Sequence, residues 1–127
     1  MVNAQLARCI VVAASIFGFS APASQANNCK YGVCFGAVAA TERGVAARAS
    51  RFATAQAVWD RVDRICNGTC SDIQVFHSGC GAIVQGGRTN MFNGFGADKE
   101  SALAEANASC LENGHRTCAV RVWACSK

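Results

Sequence analysis

Nine cysteines and two histidines are the side chains in this sequence best equipped for chemistry, and three uses compete for them. A Cys–His nucleophile needs a free, activated thiolate. Eight of the cysteines (Cys29, Cys34, Cys66, Cys70, Cys80, Cys110, Cys118 and Cys125) follow residue 26, and an even number leaves no thiol over. No Cys-x-x-Cys occurs, so the usual motif of a thioredoxin-like dithiol is missing. The cysteine spacings do not repeat those of common zinc-ligand pairs. Of the histidines, His77 continues the expected strand Ile73 to Phe76, and His115 sits between Gly114 and Cys118. The sequence therefore predicts no catalytic residue, no metal site and no cofactor. Disulfides remain.

Which use holds depends on the compartment, and the first 26 residues bear on that. Arg8 is the only charge before Lys30, the apolar run Cys9 to Phe19 follows it, and Ser24-Gln25-Ala26 ends the stretch. A basic start, a short apolar core and a small-x-Ala site describe a secretory signal peptide over 1–26. Ala21-Pro22-Ala23 fits the same cleavage rule, so Ala23 is the alternative site. The apolar run is shorter than the roughly 20 residues that span a bilayer, which predicts no membrane insertion after cleavage. Asn27 and Asn28 before Cys29 exclude a lipoprotein site. Cleavage after Ala26 removes Cys9 and leaves one domain, 27–127, secreted or periplasmic, with its even set of cysteines. An even count in a short exported chain signals a disulfide framework.

The formal charge of +4 loses one unit with Arg8. The remaining Lys and Arg are scattered without a run of neighbours, unlike the concentrated face of a nucleic-acid binder. A weak preference for acidic surfaces is all this charge supports. Glycosidase-type catalysis needs two carboxylates, one with a raised pKa in a cleft. Asp98, Glu100, Glu105 and Glu112 lie along a solvated helix, where Asp98 and Glu100 complement the helix dipole.

The elements that position these residues come twice, over 36–80 and 81–127. In the first copy, Phe35 to Thr41 is an apolar strand, Glu42-Arg43-Gly44 a turn, and Val45 to Ala49 a returning strand. Thr54 caps a helix with an apolar face of Ala55, Val58, Trp59, Val62, Ile65 and Cys66. Asn67-Gly68 ends that helix, and Ile73 to Cys80 closes the unit. In the second copy, Gly81 to Val84 and Met91 to Gly96 precede a helix capped by Asp98. Its stripe is Ala102, Leu103, Ala106, Cys110 and Leu111. Asn113-Gly114 ends it, and Ala119 to Cys125 closes the chain. A shift of 44 residues superimposes Thr54 on Asp98, Trp59 on Leu103, Val62 on Ala106 and Cys66 on Cys110. The reading is α+β: two strand–strand–helix–strand repeats share one antiparallel sheet with two helices packed on it.

The repeat also orders the cysteines. Cys66–Cys70 and Cys110–Cys118 are the symmetric local pairs. Cys80 and Cys125 occupy matching strand ends and are expected to tie one copy to the other, and Cys29–Cys34 takes what remains. Loop-closure entropy gives Cys66–Cys70 roughly 2 kcal/mol and Cys80–Cys125 roughly 4. The aromatics Tyr31, Phe35, Trp59, Phe76 and Trp123 read as core. Phe92 and Phe95, in a Gly-rich strand that favours close backbone approach, are the candidate binding residues, as an exposed apolar strip.

These residues carry a family resemblance. Gly36-Ala37-Val38-Ala39 and Gly81-Ala82-Ile83-Val84, each followed by a Gly-containing hairpin and an Ala-rich helix ending in Cys, resemble a bacterial family. So does the closing segment Cys118-Ala119-Val120-Arg121-Val122-Trp123-Ala124-Cys125. The family is domain of unknown function 4189, and the resemblance runs from about Tyr31 to Ser126. It implies a secreted or periplasmic protein of duplicated architecture and brings no catalytic residues. The few tyrosines and the extra pair Cys29 and Cys34 depart from the family pattern.

The sequence thus points to a small exported interaction module for a secreted or envelope protein, with no nucleic-acid partner. The alternative is a small secreted hydrolase of cell-wall or glycan material. Mass spectrometry of the exported protein should find its first residue at Asn27 and no mass gain on alkylation without reduction. Several alkylated cysteines in the native protein would overturn the disulfide reading.

Overall fold

The computed structural model describes Cys29 and residues 32–127. The signal peptide expected over 1–26, and Tyr31, lie outside the described residues. Six strands and two helices follow in the order β1 (Phe35–Ala40), β2 (Ala46–Phe52), α1 (Ala55–Ile65), β3 (Ile73–His77), β4 (Cys80–Gly86), β5 (Asn90–Gly96), α2 (Lys99–Glu112) and β6 (Cys118–Cys125). The class is α+β.

The strands form two three-stranded antiparallel sheets, ordered β2-β1-β3 and β5-β4-β6, where one shared sheet was expected. The reason lies in the central strands. On β1, Ala37 and Ala39 face Val58 and Val62 of α1, while Val38 faces the other sheet. On β4, Ala82 and Val84 face Ala102 and Ala106 of α2, while Ile83 joins Val38, Phe76, Val122 and Ala124 between the sheets. The layers therefore run helix, sheet, sheet, helix. A sheet covered on one face only would show alternation along its strands. Phe35-Gly36-Ala37-Val38-Ala39-Ala40 has no polar position, because both of its faces are covered.

Each helix buries one row at spacing four: Val58, Val62 and the C-cap Cys66 for α1, and Ala102, Ala106 and Cys110 on α2. Residues one step off that row rotate about 100° towards solvent. Trp59, Ile65 and Leu111, expected in the buried stripes, are accordingly 40%, 45% and 50% exposed. The caps sit where the sequence puts them. Thr54 Oγ1 accepts the Ala57 N–H at 3.1 Å, and Asp98 Oδ1 accepts the Ser101 N–H at 2.7 Å. That bond holds the Asp98 carboxyl below its ordinary value of 3.8. Asn67 and Gly68 after α1, and Gly114 after α2, take the positive φ that ends a helix.

Four disulfides close: Cys29–Cys34, Cys66–Cys70, Cys80–Cys125 and Cys110–Cys118. Cys80–Cys125 does not tie the two halves as expected. Cys80 opens β4 and is the register partner of Cys125 on β6, with Cα atoms 3.9 Å apart, so the bond lies within the second sheet. Polar contacts link the halves instead. The β6 register shifts between the partners of Ile83 and Val84, leaving Arg121 as the extra residue of a bulge. Its Nη1 donates to Gln85 Oε1 at 2.6 Å and to the Thr41 carbonyl at 3.0 Å. Nη2 donates to the Val45 carbonyl at 3.4 Å. At the other end, the Arg51 N–H donates to the Ser126 carbonyl, and the Ser126 N–H donates to the Gly79 carbonyl.

Glycine lets the layers approach. A Cβ on Gly36 or Gly81 would stand 2.7 or 2.6 Å from the Phe76 ring, which lies between the sheets. A Cβ on Gly94 would stand 2.2 Å from the Ala102 carbonyl oxygen and 2.3 Å from the Ala106 nitrogen, both helix backbone. Gly94→Ala should therefore cost about 1–3 kcal/mol, read as a lower denaturant midpoint. Gly44→Ala meets no atom within 4 Å but must hold φ +93°, so a loss of about 1 kcal/mol is expected from backbone strain alone. Asp98 makes a separate prediction about pH. Its lowered pKa contributes stability that is present above 3.8 and lost as pH falls through the folded value. Asp98→Asn, which keeps a capping acceptor, should flatten the acid limb of the stability–pH curve and leave the rest unchanged.

Candidate functional site

The candidate site is a groove of about 630 Å³ at the end of the sandwich where β1 finishes and the β4–β5 hairpin turns. Three segments wall it, and each is fixed by its own chemistry. The β1–β2 turn brings Thr41, Glu42, Arg43 and Val45. Thr41 and Val45 close that turn: the Thr41 N–H donates to the Val45 carbonyl at 2.8 Å, and Thr41 Oγ1 accepts the Val45 N–H at 3.2 Å. The Arg121 guanidinium holds the carbonyls of both residues from the other sheet. The α1–β3 connection brings Thr69, Ser71 and Asp72. Cys66–Cys70 staples it, the Thr69 hydroxyl donates to the Cys66 carbonyl, and Asp72 Oδ1 accepts from Gln74 Nε2 at 2.6 Å. The hairpin side brings Ile83, Thr89, Met91 and Asn93.

Ala40, Ile83 and Met91 belong to the packing between the sheets, so the groove opens onto the edge of that core. Its rim carries hydroxyls, the Asn93 amide, the Arg43 guanidinium and the carboxylates of Glu42 and Asp72. An apolar floor with a few convergent polar groups is the ordinary make-up of a ligand site, and the volume lies within the usual range. Glu42 and Asp72 are both exposed.

Phe92 and Phe95 do not form the strip expected of them. They stand three positions apart on β5, and a strand's period of two sends them to opposite faces. Phe92 is half-buried on the α2 side, with its ring 5.4 Å from His115. Phe95, 37% exposed, packs at 6.1 Å against Phe76 on the side facing the first sheet. Their neighbours Met91 and Asn93 line the groove, whereas the two rings do not. Trp59 lines a separate shallow depression with Ala55, Gln56 and Val75.

The histidines serve packing. His115 wedges against Gly86 and accepts on Nε2 a hydrogen bond from Asn90 Nδ2 at 3.1 Å, and His77 meets Phe35 edge-on at 5.7 Å. Among the described residues no three His, Cys, Asp or Glu side chains are grouped to hold a metal ion. Among them, too, no helix is long and apolar enough to cross a membrane. Glu100 and Glu105 lie on the exposed side of α2, away from the groove. Sequence reasoning missed Glu42, Asp72 and Thr89. Polar loop residues are solvated by default, and only the packing of the two sheets brings three such loops to one end.

Comparison with known proteins bears on the fold and the family. The NMR structure of Rv1813c from Mycobacterium tuberculosis superimposes with a TM-score of 0.57 at 24% identity, covering 72% of this chain and 74% of that one. At that identity the likeness concerns the fold. No curated protein matches the chain. A family model does match, over residues 35–125, from the first residue of β1 to the last of β6. With both sheets and both helices inside that match, the chain belongs to the family described as domain of unknown function DUF4189.

Proposed function

We propose that this protein is an exported, disulfide-braced interaction module that binds another secreted or envelope protein through the groove. The observation that carries the reading is the way the groove walls are held. Cys66–Cys70 fixes one loop, Arg121 fixes the facing turn, and the third wall is a paired hairpin. Walls ordered in advance lower the entropy lost when a partner is bound. Four disulfides are what an oxidising compartment permits, which supports removal of 1–26 as a signal peptide. The two halves are read as copies of one ancestral unit. In support, both run strand–strand–helix–strand, both place their first strand centrally, and their caps lie at Thr54 and Asp98.

One observation favours a second reading, a hydrolase of cell-wall or glycan material: Glu42 and Asp72 reach one groove from different loops. A general acid needs its carboxyl withdrawn from water to raise its pKa. Both of these side chains are exposed, so the binding module ranks first.

A photoreactive amino acid at Thr89 should give one discrete crosslinked adduct in the native compartment, whereas the same probe at the exposed Glu105 of α2 should give none. Equal yields at both positions, or no adduct at Thr89, count against the groove. Glycan hydrolysis by the purified protein that disappears in Glu42→Gln or Asp72→Asn would transfer the assignment to the hydrolase.

A further inference from the structure

Four of the twelve basic residues gather around the last strand's end, and none of them lines the groove. Arg48 on β2 holds its guanidinium 5.6 Å from the Trp123 ring centroid and donates from Nη1 to the Trp123 carbonyl at 3.3 Å. Lys99, the first residue of α2, places Nζ 4.2 Å from the centroid of the same ring. Arg51, exposed and at φ 63°, is tied by its N–H to the Ser126 carbonyl. Lys127 follows Ser126 and shares with Lys99 the walls of a depression of about 450 Å³.

The acidic residues beside them are Asp98 and Glu100 at the start of α2, and Asp98 is engaged with the Ser101 N–H. The rest of the described chain carries six basic residues (Arg43, Arg61, Arg64, Arg88, Arg116, Arg121) and six acidic ones (Glu42, Asp60, Asp63, Asp72, Glu105, Glu112). The excess positive charge of the described chain is thus concentrated at this patch. An aromatic face fixes a cation without neutralising it, and Arg48 spends one of its five N–H donors on a neutral carbonyl. The charges are positioned and still free to meet an anion.

We propose that this patch docks a water-soluble acidic polysaccharide, recognised through the carboxylate or sulfate groups along its chain. A bilayer surface suits it less well. Trp123 is half-buried beneath the two cations, and of the exposed large apolar side chains Val120 shares its strand, whereas Trp59, Ile65 and Leu111 belong to α1 and the far end of α2. The choice of polysaccharide over nucleic acid rests on the exported compartment proposed above. The patch shares no residue with the groove, so different variants test the two surfaces.

The experiment uses the mature chain with polygalacturonate and heparin as glycan probes, phosphatidylglycerol–phosphatidylcholine vesicles and duplex DNA as the other polyanions. Glycan binding that weakens with salt is expected. Replacing Arg48 and Lys99 together by Gln should weaken it about tenfold. The slope of log affinity against log salt should also fall by about two, one per charge removed. Arg61→Gln with Arg64→Gln on α1 should change neither. If the Arg48 and Lys99 pair lowers the melting temperature, Arg51→Gln with Lys127→Gln gives the same reading without touching Trp123. No glycan binding, an equal loss in the α1 control, or vesicle or DNA binding as tight as glycan binding would each overturn the proposal.

Discussion

Both central strands of this protein are enclosed on their two faces, by a helix on one side and by the other sheet on the opposite side. Gly36 to Ala39 on β1 and Cys80 to Val84 on β4 are all buried, so every residue there must fit between layers. Most of the side chains that meet this condition are small, Gly36, Ala37 and Ala39 on β1 and Gly81 and Ala82 on β4, beside the larger Val38, Ile83 and Val84. Where the approach is closest, no side chain fits at all. Gly94 lies against the backbone of α2 between Ala102 and Ala106. Small residues bury little area each, and apolar burial contributes about 25 cal/mol per Å². A core built this way gains from cross-links that restrict the unfolded chain, and four disulfides supply them.

The two halves meet through a shared apolar layer and a few directed polar contacts. Phe76 fills the space between Gly36 and Gly81, one glycine from each sheet. Arg121 reaches from a bulge in β6 to carbonyls at the β1–β2 turn, a path that an unbulged strand would not give it. Ser126 does comparable work at the other end, taking the Arg51 N–H on its carbonyl while its own N–H and hydroxyl engage Gly79. Backbone groups left at the strand ends are thereby paired across the halves, and burial without such partners would cost about 1–3 kcal/mol each.

A rigid sandwich with loops at its two ends is a common arrangement for placing binding residues on a fixed frame. Here the two ends differ in chemistry. One carries hydroxyls, an amide, Arg43, Glu42 and Asp72 around an apolar floor. The other gathers cations on Trp123.

The local rules of the chain were open to reading from residue types alone. Thr54 and Asp98 cap helices because their side-chain oxygens accept the N–H groups that a helix start leaves free. Asn67-Gly68 and Gly114 end those helices through positive φ, and the 44-residue offset between the caps gave the order of elements and the cysteine pairs. Tertiary structure alone decided the rest. Whether six strands form one sheet or two depends on what covers the second face of β1 and β4, and their uniform apolarity is compatible with a buried strand of either arrangement. Trp59 and Ile65 lie outside the core because α1 presents a single row to strands of small residues. Phe92 and Phe95 part because β5 alternates its faces, and Glu42, Asp72 and Thr89 meet only because two sheets stack. Short-range order follows from side-chain chemistry within a few positions, whereas a site assembled from three loops depends on contacts that no local pattern records.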